Sequence, residues 1–344
     1  MRILMLSRDK SGLDSGSATA RRWRLLRDAG AEISVCVAAQ REARWEDRGL
    51  RVKSLGGGFF SKWSRLYRLA QSAVRSSKFD LITAQDPFEL GWIAYRLGRK
   101  YNTKFEIQDH GGFFDGEPAD EPLWFLRSRL AWFLARRAAA IRTVSPKSQD
   151  KLAAAGLKDK TYFLPIAAEE KFKYARRQPE AYSIVSVGRL ATVKRFDVLI
   201  RSFAEFRKRH SAARLTIVGD GPQRAALERL ILSLDIMHVV KLPGAADPLP
   251  YLERAALFVL LSKHEGWGVA AVEAQLAGVP VLMTDTGCAR TIGAQIVPLG
   301  LEDPAKIAGE MEAACASPQP SGTYTSKTQT ETALEQVAAW SRLA

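Results

Sequence analysis

Short apolar runs alternate with helix-length periodic segments along this chain, and the alternation starts afresh near its middle. No other feature constrains the fold as much. A short apolar run bounded by turns reads as a strand buried on both faces, and parallel strands need a crossover helix between them. In the first half the strand candidates are 3–6, 33–37, 81–84, 105–107, 140–144 and 162–164, with helices expected over 18–28, 61–75, 88–100 and 123–138. In the second half they are 184–187, 215–218, 239–242, 257–261 and 279–282, with helices near 196–209, 223–234 and 269–277. The pattern predicts an α/β protein of two doubly wound Rossmann-like domains facing each other across a cleft.

Length agrees with two domains: 344 residues exceed what one hydrophobic core usually supports. The expected boundaries are an N-terminal domain over 1–166, a charged linker ending in proline over 167–180, a second domain over 181–316, and a tail with a short last helix over 317–344. Trp340 and Leu343 are the apolar groups with which that helix would pack back on the first domain. The three cysteines, Cys36, Cys288 and Cys315, are far apart and lack C-x-x-C spacing, so neither a disulfide framework nor a zinc site is indicated, and a reducing cytosol is expected. The N-terminus turns polar by Arg8, too soon for a signal peptide, and no run approaches the roughly 20 apolar residues of a membrane span. A cytoplasmic protein, peripheral at the inner face of the membrane, is expected.

The net charge of +14 is unevenly placed. Up to Gln178 there are 34 basic and 20 acidic residues, and thereafter 17 of each. A one-sided excess implies that one domain faces something anionic, either nucleic acid or an acidic membrane surface.

The densest chemical signal is His264-Glu265-Gly266-Trp267-Gly268-Val269-Ala270-Ala271-Val272-Glu273. It places Glu265 in a strand-to-helix loop and Glu273 about one turn into the helix. Gly266 and Gly268 let a ligand approach the backbone, and the N–H groups that follow, from Gly268 and Val269 onward, suit a phosphate. Taken alone, the segment reads as a helix cap with a salt-bridged Glu273. Upstream, Val187-Gly188-Arg189-Leu190 and then Lys194 follow the first strand of the second domain, so both cations lie at the carboxyl end of the sheet, where ligands of open α/β sheets bind. Arg189 offers a planar fork and Lys194 a point charge, a suitable pair for a diphosphate. Gly219-Asp220-Gly221-Pro222 makes a tight turn after the next strand.

In order and spacing, Val-Gly-Arg-Leu, Lys194, Val-Gly-Asp-Gly-Pro, Glu-Gly-Trp-Gly, Glu273 and Gly-Val-Pro-Val resemble the retaining glycosyltransferases of family 4 (glycosyl transferases group 1), whose fold is GT-B. The resemblance is specific over 183–287 and weaker over 1–165. It implies that Arg189 and Lys194 bind the donor diphosphate, that Glu265 holds the donor sugar, that Gly268 and Val269 face the phosphates, and that Glu273 binds ribose. It further implies that Gly16, in the loop 12–17, is the phosphate-loop glycine, and that His110, in Asp109-His110-Gly111-Gly112, is the active-site histidine. By themselves, His110 reads as a neutral histidine bonded to backbone at a strand end and Gly16 as a turn glycine. Arg195 stands where many members have glycine, Asp285-Thr286-Gly287-Cys288 replaces a commoner glycine pair, and Thr291 replaces a glutamate. No Asp-x-Asp triplet occurs, so no metal is expected.

The resemblance implies an enzyme that moves a sugar from a UDP-, GDP- or ADP-sugar, with retention and without a further cofactor, onto a glycan or lipid-linked acceptor. Lys62, Arg65 and Arg68 recur every three residues and are expected to share a helix face toward anionic lipid. A second aromatic and basic segment, 123–142, holds Trp124, Phe125, Trp132 and Phe133, but Leu126, Leu130, Phe133 and Leu134 have core spacing, so most of its apolar groups are expected inside. The loop 113–122, with Asp115, Glu117, Asp120 and Glu121, is expected to face the acceptor. Two other readings stand beside the transferase: a nucleic-acid-binding protein using the basic half, which leaves Glu265, Glu273 and the glycine loops unexplained, and a nucleotide-sugar epimerase or non-catalytic relative of the same fold.

Overall fold

The computed structural model describes residues 1–58, 61–115, 124–316 and 327–343. The chain divides into two compact units: Met1–Ile166 with Gln329–Ala344, and Ala167–Thr328.

The first unit runs β1 (Arg2–Ser7), α1 (Ala18–Asp28), β2 (Glu32–Val37), β3 (Glu42–Asp47), β4 (Leu50–Leu55), α2 (Lys62–Ser76), β5 (Leu81–Ala84), α3 (Glu89–Tyr101), β6 (Lys104–Asp109), α4 (Trp124–Arg137), β7 (Ala140–Thr143), α5 (Pro146–Ala154) and β8 (Thr161–Phe163). Its eight strands lie in the order β3-β4-β2-β1-β5-β6-β7-β8. All neighbours pair in parallel except β3 with β4. That hairpin turns through Arg48 and Gly49, both at positive φ (43° and 89°), as a two-residue turn matched to strand twist requires. Central strands are covered on both faces, which is why Ile3, Leu4, Met5 and Leu6 are all fully buried. Helix starts follow local chemistry: Ser17 Oγ accepts from Ala20 N at the head of α1, and Ser145, followed by Pro146, caps α5.

The second unit runs β9 (Ser183–Val187), α6 (Phe196–Arg207), β10 (Arg214–Val218), α7 (Arg224–Ser233), β11 (Val240–Gly244), α8 (Leu249–Arg254), β12 (Leu257–Leu260), α9 (Val269–Leu276), β13 (Val281–Thr284), β14 (Gln295–Val297) and α10 (Pro304–Ala316). The sheet order is β11-β10-β9-β12-β13-β14, parallel throughout. Residues 167–180, read from sequence as a linker, carry a short 3-10 turn whose Phe172 is buried, and the Gln178 and Glu180 amides donate to the Glu253 and Arg254 carbonyls of this unit.

The last helix, α11 (Gln329–Ser341), belongs to the first unit. Ala333, Val337 and Trp340 join Trp23, Ile3 and Met5 in one apolar cluster. Trp340 Nε1 donates to Glu106 Oε2 at 3.0 Å, and Arg142 donates to Gln336 Oε1 at 2.8 Å. Among the described residues, no helix is long and apolar enough to cross a membrane.

Candidate functional site

In each unit the strand order reverses beside a central strand, and the loops leaving the strands' carboxyl ends there form the expected crevice. In the second unit the reversal falls between β9 and β12. The loop after β9 supplies Arg189 and Lys194, and the loop after β12 supplies Glu265. Two close backbone approaches build this end of the sheet. A Cβ on Gly219, which sits at φ +147°, would fall 1.9 Å from the Gly188 carbonyl oxygen, and one on Gly221 would fall 2.5 Å from that of Leu190. The two glycine motifs are therefore locked backbone to backbone, with Leu190 N donating to Asp220 O at 3.0 Å.

Lys194 and Glu265 meet. Lys194 Nζ donates to Glu265 Oε1 at 2.5 Å, and Ser262 Oγ donates to the same oxygen at 2.6 Å. The Glu265 side chain is only 9% exposed and that of Lys194 20%, so this is a half-desolvated ion pair in a fixed place. Arg189 is exposed at the same end of the sheet. Gly268, at φ +85°, begins α9, and the first amides of that helix, starting at Val269, have no acceptor within the helix. Glu273 lies half-buried on α9. The variant loop at 285–288 packs on this site: a Cβ on Gly287 would fall 2.5 Å from the Trp267 carbonyl oxygen, and Cys288 N donates to that same oxygen at 2.7 Å. Arg195 occupies a left-handed conformation (φ 52°), the reason glycine suits this place. Its buried guanidinium offsets the strain by reaching the Leu301 carbonyl at 2.9 Å and the Glu302 carboxylate at 3.2 Å.

In the first unit the reversal falls between β1 and β5, and the Arg8–Asp86 ion pair, at 2.7 Å, bridges the loops after those strands. Asp86 also caps α3 through the amides of Phe88 and Leu90, and sequence reading missed both residues. Gly16 is exposed; its amide donates to Asp14 Oδ1, and among the described residues the one neighbour a Cβ there would meet is that oxygen at 3.5 Å. The sterically required glycine of this loop is Gly12: a Cβ there would fall 2.1 Å from the Trp23 ring.

His110 stands at the end of β6, its Nε2 2.8 Å from Gln108 Oε1. The Gln108 amide nitrogen donates to Thr83 Oγ1 and Glu106 Oε2, at 2.7 and 2.9 Å, which turns Oε1 toward the imidazole. Nε2 therefore carries the proton and Nδ1 keeps its lone pair. Desolvation first, then the positive charges of Arg142 and Arg22, push the His110 pKa down to about 3 from an ordinary 6.5. The unfolded chain thus binds a proton at this residue below pH 6.5 and the folded chain only near pH 3, so the contribution to stability is intact above neutrality and falls as pH drops through 6.5. We expect His110→Gln to lose less stability between pH 7 and pH 5 than the unsubstituted chain, by about 1–2 kcal/mol in paired urea titrations. Equal losses would mean a water-like imidazole.

Asp115, in the loop expected to face the acceptor, is instead turned inward: it accepts from Ser145 and Ser148 Oγ, both at 2.6 Å. Glu117, Asp120 and Glu121 lie outside the described residues. Lys62, Arg65 and Arg68 do not form one open face. Arg65 folds back beside Gly57 and donates to the Leu55 carbonyl at 3.4 Å, and Lys62 lies over the Trp63 ring. On α4, Leu134 is buried as its spacing predicts, but Leu126 is 57% exposed.

Two doubly wound units with these loops at the carboxyl ends of their strands define a GT-B protein of the glycosyltransferase class. The chain belongs to glycosyltransferase family 4: residues 15–167 match the family described as glycosyl transferase 4-like domain, and residues 167–295 match glycosyl transferases group 1. Its fold is similar to that of sucrose-phosphate synthase from Thermosynechococcus elongatus, with a TM-score of 0.77 at 17% identity over 100% of this chain and 96% of that one. An uncharacterized glycosyltransferase of Methanocaldococcus jannaschii is 32% identical over 149 residues, which are 42% of this chain and 38% of the relative. The GDP-mannose:cellobiosyl-diphosphopolyprenol alpha-mannosyltransferase of Komagataeibacter xylinus is 28% identical over 227 residues, 60% of this chain and 55% of the relative. The matches thus span less than two thirds of either relative's own length.

Proposed function

We propose that this chain transfers a sugar from a nucleotide diphosphate sugar to a glycan or lipid-linked acceptor, with retention of anomeric configuration and without a metal. The observation that carries this reading is the buried Glu265 carboxylate fixed by Lys194 and Ser262 at the switch point of the second sheet. A nucleic-acid-binding protein has no use for such a pair. When the anomeric C–O bond breaks, charge grows on the departing phosphate, and preorganised donors stabilise it best where water is excluded. Arg189, Lys194 and the α9 amides from Gly268 and Val269 onward take that role. Glu265 holds the donor sugar, Glu273 the ribose hydroxyls, and the Gly16 loop lies over the donor phosphates. His110, neutral with its proton on Nε2, orients the sugar or stabilises its developing charge. A polyprenol-linked acceptor is supported by the name of the Komagataeibacter relative, and an anionic membrane contact by the charge of the first half.

The test is release of nucleoside diphosphate by pure protein from a panel of UDP, GDP and ADP sugars, and no release from any of them would sink the reading. With the active donor found, Glu273→Ala should weaken the free nucleotide and its sugar alike by calorimetry, because a carboxylate on ribose contacts both forms. Glu265→Ala should mainly weaken the sugar-bearing form. Equal losses for both variants contradict the two roles.

A further inference from the structure

Helix α4 contains four arginines and no acidic residue. It turns Ala131, Leu134 and Ala135 into the core and leaves Phe125 66% and Leu126 57% exposed. Arginines lie over the rings beside them: Arg129 over Phe125, Arg136 over Trp132 and Arg137 over Phe133, at 5.4, 5.7 and 3.6 Å from the ring centroids. The pattern continues on α3, where Arg96 lies over the exposed Trp92, itself 6.5 Å from Phe133. A shallow groove of about 640 Å³ runs along α4 between these groups. Among the described residues, Arg129, Arg136 and Arg137 have no carboxylate partner, whereas Arg127 on the same helix pairs with Glu89.

We propose that this α3–α4 face is the surface by which the chain lies on a bilayer containing anionic phospholipid, with Phe125 and Leu126 entering the acyl boundary and Arg129, Arg136 and Arg137 meeting headgroup phosphates. The proposal gives a place to the membrane contact proposed above and rests on that reading only for its purpose. The charge complements phosphate, and guanidinium forks suit phosphate oxygens. The exposed apolar pair sits on the same helix as the arginines, the mixture of apolar and cationic groups that an interfacial helix presents to a bilayer. Single-stranded nucleic acid fits less well, because base stacking needs open ring faces, whereas Trp132 and Phe133 are partly buried and each already carries a guanidinium group.

The experiment is sedimentation of the full chain with phosphatidylcholine vesicles, with and without phosphatidylglycerol, across a salt series. Binding should require phosphatidylglycerol and weaken as the Debye length falls from about 10 Å at 0.1 M salt to about 3 Å at 1 M. The combined Arg129→Gln, Arg136→Gln and Arg137→Gln variant should lose about a hundredfold in partition, since each juxtamembrane cation contributes on the order of a factor of five. The corresponding triple lysine variant should keep most of the binding. Phe125→Ser with Leu126→Ser should lose at least about tenfold; both side chains are exposed, so this variant tests the face even if the glutamine variant unfolds. Lys62→Ala with Arg68→Ala should change little. Equal recovery on neutral vesicles, or unaffected α4 variants, overturns the proposal, as does a larger loss from the α2 pair or retention of a single-stranded RNA oligomer by these arginines in place of vesicles. Nucleoside diphosphate release, measured without vesicles, separates the two readings: the α4 variants should retain it, and its absence from the unsubstituted chain counts against the transferase alone.

Discussion

Lys194→Ala is expected to lower kcat by about a hundredfold to a thousandfold while raising the dissociation constant of the donor far less, the loss seen when one preorganised donor to a developing charge is removed. The geometry makes the effect double. Lys194 Nζ donates to Glu265 Oε1, so the substitution removes a cation from the phosphates and leaves a carboxylate, 9% exposed, with Ser262 as its remaining described side-chain donor. A buried charge stripped of its partner also costs roughly 1–3 kcal/mol of stability. Glu265→Gln in the Lys194→Ala background should restore much of the melting temperature, because no ionised group is left behind, and should restore none of the turnover. Arg189→Ala, at an exposed cation, should depress kcat without the stability loss. A steady-state comparison in which Lys194→Ala raises only KM would show that the cation merely binds the donor.

Trp340→Ala is expected to cost about 3–5 kcal/mol, the range for deleting a large buried aromatic ring. The ring is fully buried among Trp23, Ile3 and Met5, and its N–H reaches the fully buried Glu106 carboxylate, which also accepts from Thr83 at 2.6 Å and from the Tyr162 hydroxyl. Trp340→Phe keeps most of the volume and removes the donor, so its cost should be nearer 1 kcal/mol, the net worth of one hydrogen bond. Urea titration of both variants separates packing from hydrogen bonding. A loss below about 1 kcal/mol for the alanine variant would contradict a cavity of this size.

The core of both sheets was legible because strands covered on both faces must be apolar runs; 81–84 coincides with β5 and 18–28 with α1. The edges were not. In β3, Glu42–Asp47, only Ala43, Trp45 and Asp47 are partly covered, so the strand reads as a charged loop, and β14 has just three residues. Helix α5 also went unread, although Ser145-Pro146 is a plain helix start. The site divides in the same way. Motif spacing found Lys194 and Glu265 separately, but their contact joins residues 71 apart and depends on β9 and β12 being neighbours. The network of Glu106, Gln108, Thr83, Tyr162 and Gln336 went unseen, because a polar residue in a strand reads as solvent-facing until its partners are known. Gly12 and Gly16 look alike in sequence, and only the Trp23 ring tells them apart.

The assignment of α11 to the first unit sets an order on biosynthesis. The first unit is interrupted by the whole of Ala167–Thr328, and its apolar layer over Trp23 is closed by Ala333, Val337 and Trp340. At about 5–20 residues per second, a ribosome spends on the order of ten seconds making the intervening segment. Throughout that interval the nascent N-terminal sheet exposes the seat of α11 and a buried glutamate lacking its indole donor, while the later segment already contains everything its own core needs. The half of the chain that is made first is therefore completed last, and its waiting period is the stage at which holding chaperones have most to bind.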